Sequence, residues 1–192
     1  MNRKIDLAMA IAGLAITTPI NIIIAIAVKL DSKGPILFRQ KRVGLNQREF
    51  TIYKFRTMVE DAENFKEKYS HLNETTEPAF KIKRDPRTTR VGKILRRFHL
   101  DEIPNLINVI FGEMSLIGFR PPIPSELKDY KKDYFERFDA IPGIMSPWTA
   151  DLYHKCSFDK WILSDIGYNK NKNLSTDIKI ILDTLKRIIT EK

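Results

Sequence analysis

Two adjacent acids, Asp101 and Glu102, follow Arg96 and Arg97 and precede Arg120. A carboxylate pair among guanidinium groups can hold a divalent cation and a diphosphate together. One carboxylate can then attack phosphorus, forming an acyl phosphate and dividing one difficult displacement into two easier ones. A plainer role suits the same residues, because acids at a helix start cap free N–H groups and favour the helix dipole.

The elements that must position these groups are partly legible. Ile103, Leu106, Ile107 and Ile110 form an apolar stripe that Gly112 stops, which puts both acids at the N-terminus of a short helix. Val91, Ile94, Leu95 and Phe98 fall at helical spacing and leave Arg96 and Arg97 off the apolar face, available to a ligand. Residues 36–43 and 50–56 read as strands of a hairpin around Gly44-Leu45-Asn46-Gln47-Arg48, after the turn cluster Asp31-Ser32-Lys33-Gly34-Pro35. Residues 59–77 are polar and predict a helix followed by a mobile loop. Leu127, Tyr130, Tyr134 and Phe138 predict a third helix. Ile178, Ile181, Leu182, Leu185 and Ile188 predict a C-terminal one, either core-packed or resting on a lipid surface.

Charge narrows the partners. The 192 residues hold 33 Lys and Arg against 24 Asp and Glu, a formal charge of +9 that favours phosphates, acidic lipid or nucleic acid. The excess is local. Residues 29–56 and 81–97 carry eight basic side chains each, against Asp31 and Glu49 in the first and Asp85 in the second. Neither stretch shows a recognition helix, zinc finger or RNA-binding sheet pattern, so no nucleic-acid partner is expected. The single cysteine, Cys156, forms no intramolecular disulfide and suits a reducing compartment. The length is expected to hold one domain and an appendage.

That appendage is apolar. Residues 5–28 carry one charge, Asp6, and about 20 apolar residues suffice to cross a bilayer as a helix. A cleaved secretory signal is disfavoured, since signal cores run to about 7–15 residues. Arg3 and Lys4 precede the run and Lys29, Lys33, Arg39, Lys41 and Arg42 follow it, so the positive-inside bias holds both ends in the cytoplasm. A re-entrant helical hairpin meets that demand, with Thr17-Thr18-Pro19 and Asn21 at its turn; a kinked single span is the alternative. The fold class expected is α+β, a re-entrant membrane helix over residues 1–30 and a small cytoplasmic domain of helices with a short antiparallel hairpin over 31–192.

Six blocks occur in an order that carries a resemblance: Gly34-Pro35-Ile36-Leu37-Phe38-Arg39-Gln40-Lys41-Arg42-Val43-Gly44, Ile52-Tyr53-Lys54-Phe55-Arg56-Thr57-Met58, Asp85-Pro86-Arg87-Thr88-Thr89-Arg90-Val91-Gly92, Leu100-Asp101-Glu102-Ile103-Pro104-Asn105, Gly112-Glu113-Met114-Ser115-Leu116-Ile117-Gly118 and Arg120-Pro121. The chain resembles the bacterial sugar transferases, the small monotopic phosphoglycosyl transferases, over nearly its whole length. The resemblance implies a re-entrant helix in the bacterial inner membrane, an active site on its cytoplasmic face, Mg²⁺ at Asp101, a UDP-sugar donor and undecaprenyl phosphate as acceptor. It implies Asp101 as nucleophile, Glu102 as its catalytic partner, Arg96 and Arg120 as phosphate-binding residues with Pro121 shaping their loop, and Thr18-Pro19 as the membrane helix break.

The chain departs from the family pattern in two places. Gly118-Phe119-Arg120-Pro121 stands where Gly-Pro-Arg-Pro is usual, and Pro142-Gly143-Ile144 leads into Met145-Ser146 and Leu152-Tyr153 in place of a Thr-Gly and a Gly-Arg pair. Tyr153 therefore occupies the position of an expected arginine, with His154 and Lys155 as candidate substitutes. That loss motivates an alternative, a catalytically degenerate membrane-anchored binding or partner subunit.

Overall fold

A computed structural model describes residues 2–65, 67–73, 82, 84–152 and 157–190, with Asp151 and Leu152 as backbone only. It opens on helix α1 (Arg3–Asp31), which Asn2 caps through its side chain and which Ser32 ends in extended backbone. Where the sequence places the turn of a hairpin, α1 stays helical. Pro19 removes one donor, but the Thr17 and Thr18 hydroxyls back-bond to the Gly13 and Leu14 carbonyls at 2.7 Å each, so the helix continues rather than splitting in two.

Both ends of α1 are seated on the folded domain. At the start, Arg3 donates to the Val109 and Ile110 carbonyls, while Asp6 accepts from the Ser115 hydroxyl at 2.8 Å and the Leu116 N–H at 3.0 Å. At the end, Arg56 donates to the Ser32 carbonyl at 2.7 Å and the Lys33 carbonyl at 2.5 Å. At 100° per residue the buried Asp6, Ala10, Ile24 and Val28 share one face. Pro19 lies on the opposite face.

Strands β1 (Leu37–Val43) and β2 (Glu49–Phe55) pair antiparallel with Leu37 opposite Phe55 and Val43 opposite Glu49, through a turn that holds Asn46 and Gln47 at positive φ. In the stretch 59–77, where a helix followed by a mobile loop is expected, the described residues form short 3₁₀ turns at Ala62–Phe65 and Ser70–Leu72 and no α-helix; residues 66 and 74–77 lie outside the described residues. Helix α2 (Arg90–Arg97) starts at the Thr89 cap. Gly92 makes its seat: a Cβ there would stand 2.1 Å from the Thr57 carbonyl oxygen, so only glycine lets α2 lie against the end of β2.

A 3₁₀ segment, Leu100–Asn105, runs into α3 (Leu106–Phe111), which Gly112 ends in the left-handed conformation. Asn108 ties α3 to β2 by donating to the Thr51 carbonyl at 2.7 Å. Strands β3 (Ser115–Ile117) and β4 (Gly143–Met145) pair in parallel. The third helix is corrected: the backbone makes two 3₁₀ stretches, Pro124–Asp129 and Lys132–Asp139, because Tyr130 and Lys131 between them are extended. Helices α4 (Phe158–Asn171) and α5 (Leu174–Thr190) close the chain. The main core joins Ala10, Ile52, Val109, Met114, Leu116, Tyr168 and Ile180, so α1, the hairpin, α3 and α5 share one interior.

Candidate active site

His99 adopts positive φ (53°) between α2 and the 3₁₀ segment, turning the chain so that the first 3₁₀ turn lies beneath α2 and beside β2. This brings Asp101 and Arg96 to one cavity of about 610 Å³, which Lys54, Arg42 and Arg120 also line. Glu102 faces a smaller adjoining space of about 60 Å³ with His99, Asn105 and Thr149.

Asp101 is 9% exposed, and its side chain makes no hydrogen bond or ion pair among the described residues. The helix-cap reading therefore fails for Asp101: no backbone N–H is satisfied by that carboxylate. Burial pushes its pKa above the ordinary carboxylate value and the neighbouring Glu102 charge pushes the same way; Lys54, Arg96 and His99 oppose. Glu102 is the settled member. Burial opposes its ionisation, but the Lys54 ammonium, 2.5 Å from its Oε1, overrides this and lowers its pKa to about 2.

The cations divide by what they hold. Arg96 donates to the Thr57 hydroxyl at 2.8 Å and the Thr88 hydroxyl at 3.3 Å, neutral partners that leave its charge unspent. Arg120 has no carboxylate partner among the described residues; its guanidinium lies 5.6 Å from the Trp148 ring centre. Arg42 donates to the Pro121 carbonyl at 2.9 Å, and burial followed by Arg120's charge lowers its pKa to about 9. Other members of the two basic runs serve the fold: Arg56 caps α1, and Arg87 pairs with buried Asp85 at 2.7 Å.

Of the residues singled out from the sequence, the structure gathers Asp101, Glu102, Arg96, Arg120 and Pro121. Arg97 is exposed over the Phe98 ring and lines neither space. Thr18 and Pro19 stay within α1, away from the cavity. Tyr153, His154 and Lys155 lie outside the described residues. Phe119, standing where the family pattern has proline, is fully buried edge-on to Phe138 with ring centres 5.6 Å apart. Sequence reasoning missed Lys54, though a signal was there: strand alternation puts Lys54 on the face of buried Ile52. Among the described residues no cluster of three metal-binding side chains occurs. The donor set therefore fits Mg²⁺ only in its usual manner for phosphate substrates, one or two carboxylates with the remaining ligands from phosphate and water. Asp101 could supply such a carboxylate, and Glu60, Asp61, Glu63 and Glu126 line the same cavity.

The whole arrangement, α1 included, falls within a match to the family model described as bacterial sugar transferase, over residues 1–191. The chain belongs to the bacterial sugar transferase family. Similar curated members include the galactosyl transferase CpsE of Streptococcus agalactiae serotype III, 38% identical over 97% of this chain and 42% of its own length. The undecaprenyl-phosphate glucose phosphotransferase of Komagataeibacter xylinus is 34% identical over 97% of this chain and 35% of its own. The UDP-galactose-lipid carrier transferase of Erwinia amylovora is 35% identical over 96% and 39%. The chain spans about two fifths of the length of these relatives.

Proposed function

We propose that the chain transfers a sugar phosphate from a UDP-sugar to undecaprenyl phosphate, with Asp101 as nucleophile, at a membrane step of glycoconjugate synthesis. The observation that carries this reading is the contrast at the acid pair: a buried carboxylate without a hydrogen bond or ion pair among the described residues shares a cavity with Arg96 and Arg120, neither of which is paired to a carboxylate among those residues, while its neighbour is paired to a lysine. An Asp101 oxygen attacks the phosphorus that bears the sugar, and the bond from that phosphorus to the UMP oxygen breaks. An oxygen of the acceptor phosphate then attacks the same phosphorus, the aspartyl bond breaks, and the carboxylate is restored. Arg96 and Arg120 neutralise charge on the diphosphate, Glu102 orients the groups with Lys54, and Mg²⁺ at Asp101 would further offset phosphate charge. The names of the relatives support the donor and acceptor classes.

Both chemical partners meet at a membrane in this reading. Two α1 ends held by one domain support a helix that enters and leaves lipid on the cytoplasmic face, because a straight span would separate them. The outer surface of α1 is apolar, with Ile16, Ile22, Ile23 and Ile26 exposed. Helix α5 points the same chemistry outward: Leu174, Ile178, Leu182, Leu185 and Ile189 are exposed along one stripe, while Asp177, Thr184 and Arg187 face inward.

UMP release measured over a panel of UDP-sugars with undecaprenyl phosphate tests the chemistry, and excess chelator should abolish turnover until Mg²⁺ is restored. No UMP from any donor would refute the proposal. For topology, single cysteines at residues 2 and 33 in a Cys156→Ser background should both resist an impermeant thiol reagent in spheroplasts. Labelling of either from outside would refute re-entry.

A further inference from the structure

Arg120 lines the cavity from an irregular segment, yet three successive carbonyls of that segment are pinned. Arg137 Nη2 donates to the Arg120 carbonyl at 3.0 Å, Arg42 Nη1 to that of Pro121 at 2.9 Å, and the Val43 N–H to that of Pro122 at 2.9 Å. Arg137 is completely buried. Its guanidinium also donates to the Tyr130 hydroxyl at 2.7 Å and to Asp165 Oδ2 at 2.5 Å, and lies 5.0 Å from the Phe119 ring centre. Asp165, on α4, is equally buried.

The Arg120 side chain is fixed from the same helix by another route. Its guanidinium rests over Trp148, and Trp148 stacks on Trp161 with ring centres 4.5 Å apart. Trp161 and Asp165 are i and i+4 on α4, so one helical turn holds the Arg120 backbone through Arg137 and its guanidinium through Trp148. A buried ion pair is weak evidence for stability, since apolar residues of similar volume often serve the core as well or better. Here Arg137 Nε and Asp165 Oδ1 find no hydrogen-bond partner among the described residues, so the pair is not fully satisfied even in place. What it supplies beyond packing is a donor aimed at the Arg120 carbonyl.

We propose that Arg137, oriented by Asp165, is a positioning residue that sets Arg120 for the donor diphosphate. The claim rests on the phosphate-binding role given to Arg120 above. It makes α4 part of the donor site without touching the donor.

A double-mutant cycle on the full chain in nanodiscs tests it. Arg137→Met with Asp165→Leu removes both charges together, so neither is left buried alone. In the wild-type background this pair should raise the KM for the UDP-sugar by about tenfold or more, with kcat per folded enzyme little changed. In an Arg120→Ala background it should add no further increase. Arg137→Lys, which retains charge but cannot fork between the Arg120 carbonyl and Asp165, should fall between. The same cycle read as the Kd for UDP by calorimetry frees the test from turnover. Equal fold-changes in both backgrounds, or an unchanged KM and Kd in the first, would overturn the positioning role and leave the transferase reading standing. Wild type that binds UDP but releases no UMP overturns the transferase reading, with the binding cycle still deciding the role of Arg137. Wild type that neither binds nor turns over overturns both.

Discussion

Asp101 and Glu102 are consecutive in one 3₁₀ turn, yet they occupy opposite circumstances. Glu102 keeps 23% of its side chain accessible, is paired with Lys54, and has a pKa lowered to about 2. Asp101 is more deeply buried, makes no hydrogen bond or ion pair among the described residues, and has a raised pKa. The difference teaches why the proposed mechanism assigns attack to Asp101: the paired acid has already used its interaction energy on a lysine, while the unpaired one keeps its lone pairs for a ligand. The two spaces agree with this, since the larger opens at Asp101 and the smaller at Glu102.

The comparison breaks most sharply by substitution at Asp101. Asp101→Asn should lower kcat by on the order of 10⁴-fold or more, as loss of a covalent nucleophile does, whereas a capping aspartate would tolerate asparagine. Arg120→Ala and Arg96→Ala should each cost about 10²- to 10³-fold in kcat/KM for the donor, the scale for losing one preorganised charge partner. Glu102→Gln should cost less than Asp101→Asn, and the product should still form through Asp101. Parallel steady-state kinetics on the purified variants check this order; equal losses at the two acids would remove the asymmetry.

The pH profile sharpens it. In the proposed mechanism Asp101 attacks only as a carboxylate, and burial raises its folded pKa above the ordinary carboxylate range, so activity should fall with acidification at a higher pH than an ordinary carboxylate would give. Lys54 lowers that pKa and Glu102 raises it. Lys54→Met should therefore move the acid limb up in pH, and Glu102→Gln should move it down. Limbs moving in the same direction would contradict the pairing.

The smallest effect is on stability. A carboxyl whose folded pKa is raised binds its proton more tightly in the native state. Its contribution is present below the unfolded pKa and turns into a penalty as pH rises through the folded one. At neutral pH, Asp101→Asn should thus raise the thermal midpoint, by about 2–4 °C for each 1 kcal/mol of relieved penalty. At a pH below both pKa values the gain should vanish. Lys54→Met should do the reverse, because it leaves the partly buried charge of Glu102 without its partner.

Much of this was legible in the sequence because local patterns decided it. Residues 36–43 and 50–56 read as strand-like runs around a five-residue turn, and the structure pairs 37–43 with 49–55 across it. Ile103, Leu106 and Ile110 announced a helix after the acids, and Gly112 ended it. Other features hid because tertiary contacts decide them. Asp165 interrupts the apolar face of α4, and only the distant Arg137 makes that aspartate a core residue. Tyr130 and Tyr134 keep helical spacing, yet the backbone between them is extended. Charge runs concealed a division of labour: Arg42, Lys54 and Arg56 belong to one basic stretch, yet Arg42 and Arg56 donate to carbonyls far along the chain while Lys54 pairs with Glu102.

The most direct test of the account is intact-protein mass spectrometry of the wild-type chain incubated with UDP-sugar and Mg²⁺ in the absence of lipid acceptor. The account predicts an added phosphosugar mass, mapped by peptide analysis to Asp101, absent from Asp101→Asn and discharged when undecaprenyl phosphate is supplied. An adduct that persists on Asp101→Asn, or turnover by wild type with no adduct and a ternary-complex kinetic pattern, would contradict it.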